Sequence, residues 1–252
     1  MNNIIEIQNE WGYFSYFKND QVFANHVKRG QIYESQLVIT ELASYIRNSK
    51  LILDIGAHAG THTILYKHLN PEAEIHSFEP QIHLFRLLQH NIRKNQLENV
   101  FLYHNGVGHT VSKYTMQNTP TDGSNIGKLI EYGTSNDFNL GGLSFGRGGE
   151  EVNIISIDSL KFKKIDFIKI DVEGYESLVF HGAKSTIQQH KPVIFFEHEP
   201  KVKHATIETL NDLNFKESLN DPISFLKKLN YSLKPINNNY LAIPHNVNIT
   251  QT

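Results

Sequence analysis

From Lys50 onward the chain alternates short apolar runs with segments of helical period, and that alternation leaves few folds open. The runs "LILDIG", "AEIHSFEP", "NVFLYHNGVG", "KIDFIKIDVEG" and "KPVIFFEHEP" read as five strands. Between them, 61–69, 82–95 and 177–190 read as helices, with Leu84, Phe85, Leu88 and Ile92 at helical spacing in the second. Strands alternating with helices build a parallel sheet covered on both faces. Continuous apolar stretches such as "FIKI" and "VIFF" suit strands buried on both sides. The tail, "DPISFLKKLNYSLKPI" then "NNNYLAIPHN", reads as a helix and two strands joined by an Asn-rich turn, closing the sheet antiparallel.

Residues 1–50 read as a cap of strand and helix on this sheet. "WGYFSYF" is a strand. Asp20 is an N-cap before Val22, Phe23 and Val27, Gly30 stops that helix, and "ESQLVITELASYIRN" is a second amphipathic helix. No linker or charge block divides the chain, so residues 1–252 are expected to form one α/β domain. Residues 110–154 break the rhythm. They are rich in Gly, Ser, Asn and Thr and read as a long loop on the substrate side, above the carboxyl edge of the sheet.

Composition removes several classes. With 24 basic and 26 acidic residues there is no basic surface by count, which argues against nucleic-acid binding. With no cysteine, disulfides, thiolate metal sites and a Cys nucleophile are excluded. No apolar run spans a bilayer, and "MNNIIEIQNEWGYF" lacks the plan of a signal peptide, so a cytoplasmic protein is expected.

The chemistry concentrates at strand ends. In "LILDIGAHAGTHT", Gly56, Ala57 and Gly60 let the backbone turn tightly into a helix. The spacing is D-x-G-x-x-x-G rather than the G-x-G-x-x-G of dinucleotide sites, and Asp54 would repel a pyrophosphate. An acid there suits an ammonium. Glu79, in "HSFEP" at the second strand end, stands where α/β nucleotide folds place the acid that accepts ribose hydroxyls. Asn105 follows the third strand as partner for an adenine edge. A phosphate-free ligand with a ribose and an amino-acid end is S-adenosylmethionine. The bland alternative is a strand-to-helix turn without function.

"LILDIGAHAGTHT", "HSFEP", "IDFIKIDVEGYESLVFHGA" and "KPVIFFEHEP", in this order, resemble the FkbM family of S-adenosylmethionine-dependent methyltransferases over residues 32–244. The resemblance implies a Rossmann-like class I methyltransferase fold, with a mostly parallel seven-stranded sheet and an antiparallel C-terminal strand. It implies methylation of oxygen, chiefly on sugars, glycolipids and polyketide-derived products. The cofactor set it suggests adds His58, Pro80, Gly106 and Asp171 to the residues above, and "GQIYES" adds Glu34 at the methionine end. The chain departs from the family at His58, where Asn is usual, and at Gly106, where Ala is common.

A sugar hydroxyl needs help to lose its proton. The candidate catalytic groups are Asp171 first, then Glu173 as base or hydroxyl anchor, and His198 after the fifth strand. One of the two acids in "IDVEG" could instead cap the following helix. Asp171, Glu197 and His198 could gather Mg²⁺ or Ca²⁺, but a metal-free base is the default. Lys169 is expected to pair with a carboxylate, while His76, His104 and His181 read as ordinary. Asn125, Arg147 and Glu197 are candidate substrate contacts, with Asp122, Asn139, Tyr132, Phe138 and Phe145 nearby in the long segment. Those groups suit a sugar or a mobile lid equally. Rival readings are a nicotinamide oxidoreductase, a methyltransferase for protein or RNA, and a binding module that keeps the fold without turnover.

Overall fold

The computed structural model describes residues 3–120, 128–130, 132, 136, 138–198 and 221–245. The chain opens with a hairpin of β1 (Ile4–Asn9) and β2 (Gly12–Phe17), of which β1 was not expected. Helix α1 (Gln21–Lys28) starts at Asp20, whose Oδ1 accepts the Phe23 amide at 3.5 Å. The second expected helix is α2 (Ser35–Leu37), a wide π turn over Val38–Leu42, then α3 (Ala43–Arg47).

The large sheet follows. Its strands are β3 (Leu51–Ile55), β4 (Glu74–Phe78), β5 (Val100–Tyr103), β9 (Phe167–Ile170), β10 (Val193–Glu197), β11 (Tyr231–Ile236) and β12 (Asn239–Pro244). They lie in the order β11-β12-β10-β9-β3-β4-β5, and β12 alone runs antiparallel. Every residue of β9 is buried, as the "FIKI" run requires. The chain order reverses between β3 and β9, which pair directly. At such a reversal the loops part and leave a crevice at the carboxyl edge.

Helices α4 (Thr61–Leu69) and α5 (Ile82–Lys94) follow β3 and β4. Buried Leu84, Phe85, Leu88 and Ile92 face inward on α5 as their spacing requires. The expected helix 177–190 divides into α7 (Glu176–Gly182) and α8 (Lys184–His190), after a short α6 (Ile157–Leu160). Gly182 meets another backbone there, since a Cβ on it would stand 1.9 Å from the Gly108 carbonyl oxygen.

The described part of residues 110–154 is more than a loop. It carries β7 (Ser112–Gln117) and β8 (Gly148–Ile155), which form a three-stranded sheet with β6 (Gly106–Val107). This small sheet brings Met116 and Phe145 over the crevice. Among the described residues no helix is long and apolar enough to cross a membrane.

Candidate functional site

A cavity of about 600 Å³ opens at the carboxyl ends of β3, β4, β9 and β10. Its floor begins at Gly56, with φ +78°; a Cβ here would lie 1.7 Å from the Asp171 carbonyl oxygen, so only glycine lets the two strand ends close. The Gly56 and Ala57 amides both donate to the Phe78 carbonyl, at 3.0 and 2.9 Å. They are therefore spent on the neighbouring strand rather than aimed at an anion. Gly60, with φ +88°, leads into α4.

Glu79 is buried at the end of β4. Its Oε2 accepts the His58 amide at 2.9 Å and its Oε1 accepts the Gln81 amide at 2.8 Å. A carboxylate has about four acceptor positions, so two remain for the cavity. Burial pushes its carboxyl up to about 7, against the pull of His58 and the two amides. His58 itself stands at φ +52°. Its Nε2 lies 3.0 Å from Asp20 Oδ2, and its ring stacks on Phe23 at 4.2 Å.

At the other end, Asp171, Glu173 and Glu197 each offer a carboxylate oxygen within 4.8 Å of the others. Buried Lys169 sits behind them, 3.1 Å from Asp171 and 3.7 Å from Asp54, and donates to the Gly56 carbonyl at 2.7 Å. Burial pulls the Lys169 ammonium down, but Asp171 and Asp54 outweigh it and push it up to about 12. Burial would raise the Asp171 carboxyl; Lys169 overcomes that and holds it below the ordinary value. Among the described residues no Lys or Arg lines the cavity.

The methyltransferase FkbM domain family matches residues 54–233, most of the chain's length. The chain belongs to this family. None of the curated proteins matches it. Among solved structures it is similar to a methyltransferase FkbM from Methylobacillus flagellatus KT, at 18% identity and a TM-score of 0.45, covering 77% of this chain and 43% of that one. It is also similar to precorrin-6y C5,15-methyltransferase from Geobacter metallireducens GS-15, at 12% identity and a TM-score of 0.44, covering 84% and 86%. The sheet has the order and single antiparallel strand of a class I methyltransferase. The chain is thus an FkbM-family methyltransferase, and its methyl donor is S-adenosylmethionine.

The expected donor residues divide. Gly56, His58, Glu79, Pro80, Asn105, Gly106 and Asp171 line the cavity. Asp54, Ala57 and Gly60 do not. Asp54 is fully buried beneath the floor, accepting the Thr63 hydroxyl at 2.6 Å beside Lys169. It thus steadies Lys169 rather than facing a ligand ammonium. Glu34 also stands behind the lining, with its Oε2 3.0 Å from His62 Nε2. Gly106 fits the family departure noted above, because a Cβ there would meet Phe145 at 2.6 Å and Ile154 at 2.7 Å.

The catalytic expectations need one correction. Asp171 and Glu173 line the cavity, but His198 does not; its Nε2 lies 3.5 Å from Asp221, which caps the helix Pro222–Lys228. Adjacent strand-end residues point to opposite faces, and Glu197 takes the cavity side. The acid group able to share a divalent cation is accordingly Asp171, Glu173 and Glu197, without His198. The helix-side role falls to Glu176, whose Oε1 accepts the Val172 and Gly174 amides. Of the substrate candidates, Glu197 lines the cavity, Arg147 is exposed away from it, and Asn125, like Asp122, lies outside the described residues. Asn139 and Phe145 line it, Phe138 is core, and the Tyr132 hydroxyl donates to Gln81 Oε1. Val22, Phe23 and Tyr33 were not expected as lining; "QIYES" offered Glu34 as its charged group, and Tyr33 beside it gave no separate signal.

Proposed function

We propose that the chain transfers a methyl group to a hydroxyl oxygen of a sugar, in a glycan, a lipopolysaccharide or a glycosylated metabolite. The observation that carries this reading is the meeting of Asp171, Glu173 and Glu197 across the cavity from Glu79. Glu79 would hold the donor's ribose hydroxyls with its two remaining acceptor positions, and Asn105 and Pro80 would flank the adenine. When bound, S-adenosylmethionine supplies a methyl carbon activated by a sulfonium.

The chain's own residues handle the proton. A hydroxyl donating to Asp171 turns a lone pair toward the methyl carbon, and orientation supplies much of the rate. Methyl transfer to it would make the hydroxyl a strongly acidic oxonium, the donor's carbon–sulfur bond breaking to leave a neutral thioether. A carboxylate held ionised by Lys169 can then accept that proton despite its low basicity. The same three carboxylates have the oxygen chemistry for Mg²⁺ or Ca²⁺, which would assist by binding the hydroxyl directly. The lack of a lining Lys or Arg among the described residues speaks against RNA as acceptor. The cytoplasmic setting remains part of this proposal.

The test is Asp171→Asn, assayed for transfer of labelled methyl to a glycan panel with and without a chelator. Turnover should fall by about 10²–10⁴-fold. S-adenosylhomocysteine affinity by calorimetry should change by about threefold at most, since Lys169 keeps Asp54 and the Gly56 carbonyl. Undiminished transfer in the variant would remove Asp171 from the chemistry.

A further inference from the structure

One wall of the cavity comes from outside the family-matched region. Val22, Phe23 and Tyr33 line it, all upstream of residue 54. The rings are packed in sequence. Phe23 stacks on His58, Tyr33 tilts onto Phe23 at 4.9 Å, and His26 meets Tyr33 edge-on at 5.2 Å. The backbone beyond Tyr33 is pinned as well, because Glu34 takes a left-handed turn and pairs with His62 on α4. Tyr33 is therefore a braced surface.

Tyr33 shares the cavity lining with Asp171, Glu173 and Glu197. The Tyr33 hydroxyl is pushed up by burial first, then by Glu34, Asp171, Glu197 and Glu173. It thus lies in the field of the carboxylates at the ends of β9 and β10, with which it lines one cavity. The nitrogen groups behind the wall are already partnered: Lys169 with Asp54, Asp171 and the Gly56 carbonyl, and His62 with Glu34.

We propose that Tyr33 is the acceptor platform, a ring on which the apolar face of an uncharged sugar stacks while its rim hydroxyls donate to Asp171, Glu173 and Glu197. The inference rests on the sugar O-methylation reading and narrows it. Aromatic faces take the C–H face of a sugar ring, and carboxylates accept from hydroxyls. The same carboxylates repel phosphate, sulfate and uronate groups, and no cavity-lining Lys or Arg among the described residues offsets them. Nucleotide-linked and acidic sugars are thereby excluded as acceptors.

The experiment is ligand-observed saturation-transfer NMR on the full chain saturated with S-adenosylhomocysteine. The probes are methyl glucoside, galactoside and mannoside, each beside its uronide, against wild type, Tyr33→Ala and Tyr33→Phe. At least one neutral glycoside should bind and its uronide should not. Tyr33→Ala should weaken that glycoside about fivefold or more, Tyr33→Phe should retain it, and S-adenosylhomocysteine affinity should hold within about twofold in both. Equal binding of uronides, with or without added magnesium, overturns the exclusion. A signal that survives Tyr33→Ala, or no neutral glycoside bound at all, overturns the platform. Loss of S-adenosylhomocysteine affinity in Tyr33→Ala also overturns it, by assigning the ring to the donor's methionine end. If wild type fails to bind S-adenosylhomocysteine, the placement of the donor fails instead, and calorimetry on the same samples separates the two.

Discussion

With the donor's ribose placed on Glu79 as proposed, this residue couples donor binding to pH. Its folded ionisation is raised to about 7 by burial, so without a ligand the neutral form is favoured below that point. Ribose hydroxyls need the ionised form as acceptor. Binding below about pH 7 therefore expels a proton, and S-adenosylhomocysteine affinity should fall about tenfold per unit there. Calorimetry in buffers of different ionisation enthalpy would show this release, and Glu79→Gln should bind weakly with no slope. The stability sign runs the other way. A carboxyl raised above its unfolded value binds more protons when folded, so its contribution is complete below the unfolded value near 4.5 and is lost as pH rises through about 7. The place of Glu79 in the cavity lining was legible in the sequence because a parallel sheet directs every strand's carboxyl end to one edge. His198 was misread for an equally simple reason. Side chains alternate along a strand, so either Glu197 or His198 could face the cavity, and only the register of β10 on β9 and β12 decides it. Asp54 was placed one layer too high, because a strand-end acid looks the same from sequence whether it faces a ligand or a buried lysine.

Between residues and fold, α5 acts as a partner for a strand. Asn91 on this helix and Asn95 at its C-cap stand one turn apart. Asn91 accepts the Ser15 amide at 3.0 Å and donates to the Ser15 and Ala59 carbonyls at 2.9 and 2.8 Å. Asn95 accepts the Tyr13 amide at 2.7 Å and donates to its carbonyl at 2.6 Å. Two side-chain amides thus satisfy one edge of β2, which among the described residues otherwise pairs with β1 alone. Asn91 is wholly buried, so Asn91→Ala strands three backbone groups away from water and should cost about 3 kcal/mol or more in urea unfolding, against about 1 kcal/mol for the half-buried Asn95→Ala. Equal, small losses would show that β2 is held by its apolar face alone. This device was invisible in the sequence, where neither Asn91 nor Asn95 gives any sign of a strand partner. The strands β7 and β8 were hidden differently. Gly148 and Gly149 open β8, and a register shift between Thr115 and Gln117 breaks the alternation of β7, so neither shows a clean period of two. The parallel strands had no such obstacle, since burial on both faces leaves a continuous apolar run.

At the scale of the molecule, the N-terminal segment and the large sheet share one core. Phe14, Tyr16, Phe23, Val27 and Val38 belong to the same buried cluster as Ile52, Leu65, Leu88, Phe167 and Phe195. The β1–β2 hairpin could not stand alone, because two strands without a packed face are marginal in water. Three polar ties reach from this segment to the glycine turn and α4: Asp20 to His58, Glu34 to His62, and the Tyr16 hydroxyl to Thr61 at 2.8 Å. These links imply that the cavity wall bearing Tyr33 melts with the sheet that binds the donor, as a single-domain chain would. The chain offers its own probe for this. Its one tryptophan, Trp11, sits at the hairpin turn with its ring edge-on to His68 of α4, 4.8 Å away. Trp11 fluorescence therefore reports the docking of the segment, while far-UV circular dichroism is dominated by the helices and the large sheet. The two thermal midpoints should coincide, and S-adenosylhomocysteine should raise both equally, because a ligand that binds only the folded form stabilises every part that unfolds with it. A fluorescence transition several degrees below the dichroism, unmoved by ligand, would mean the segment opens separately and that the wall it carries is not coupled to the donor site.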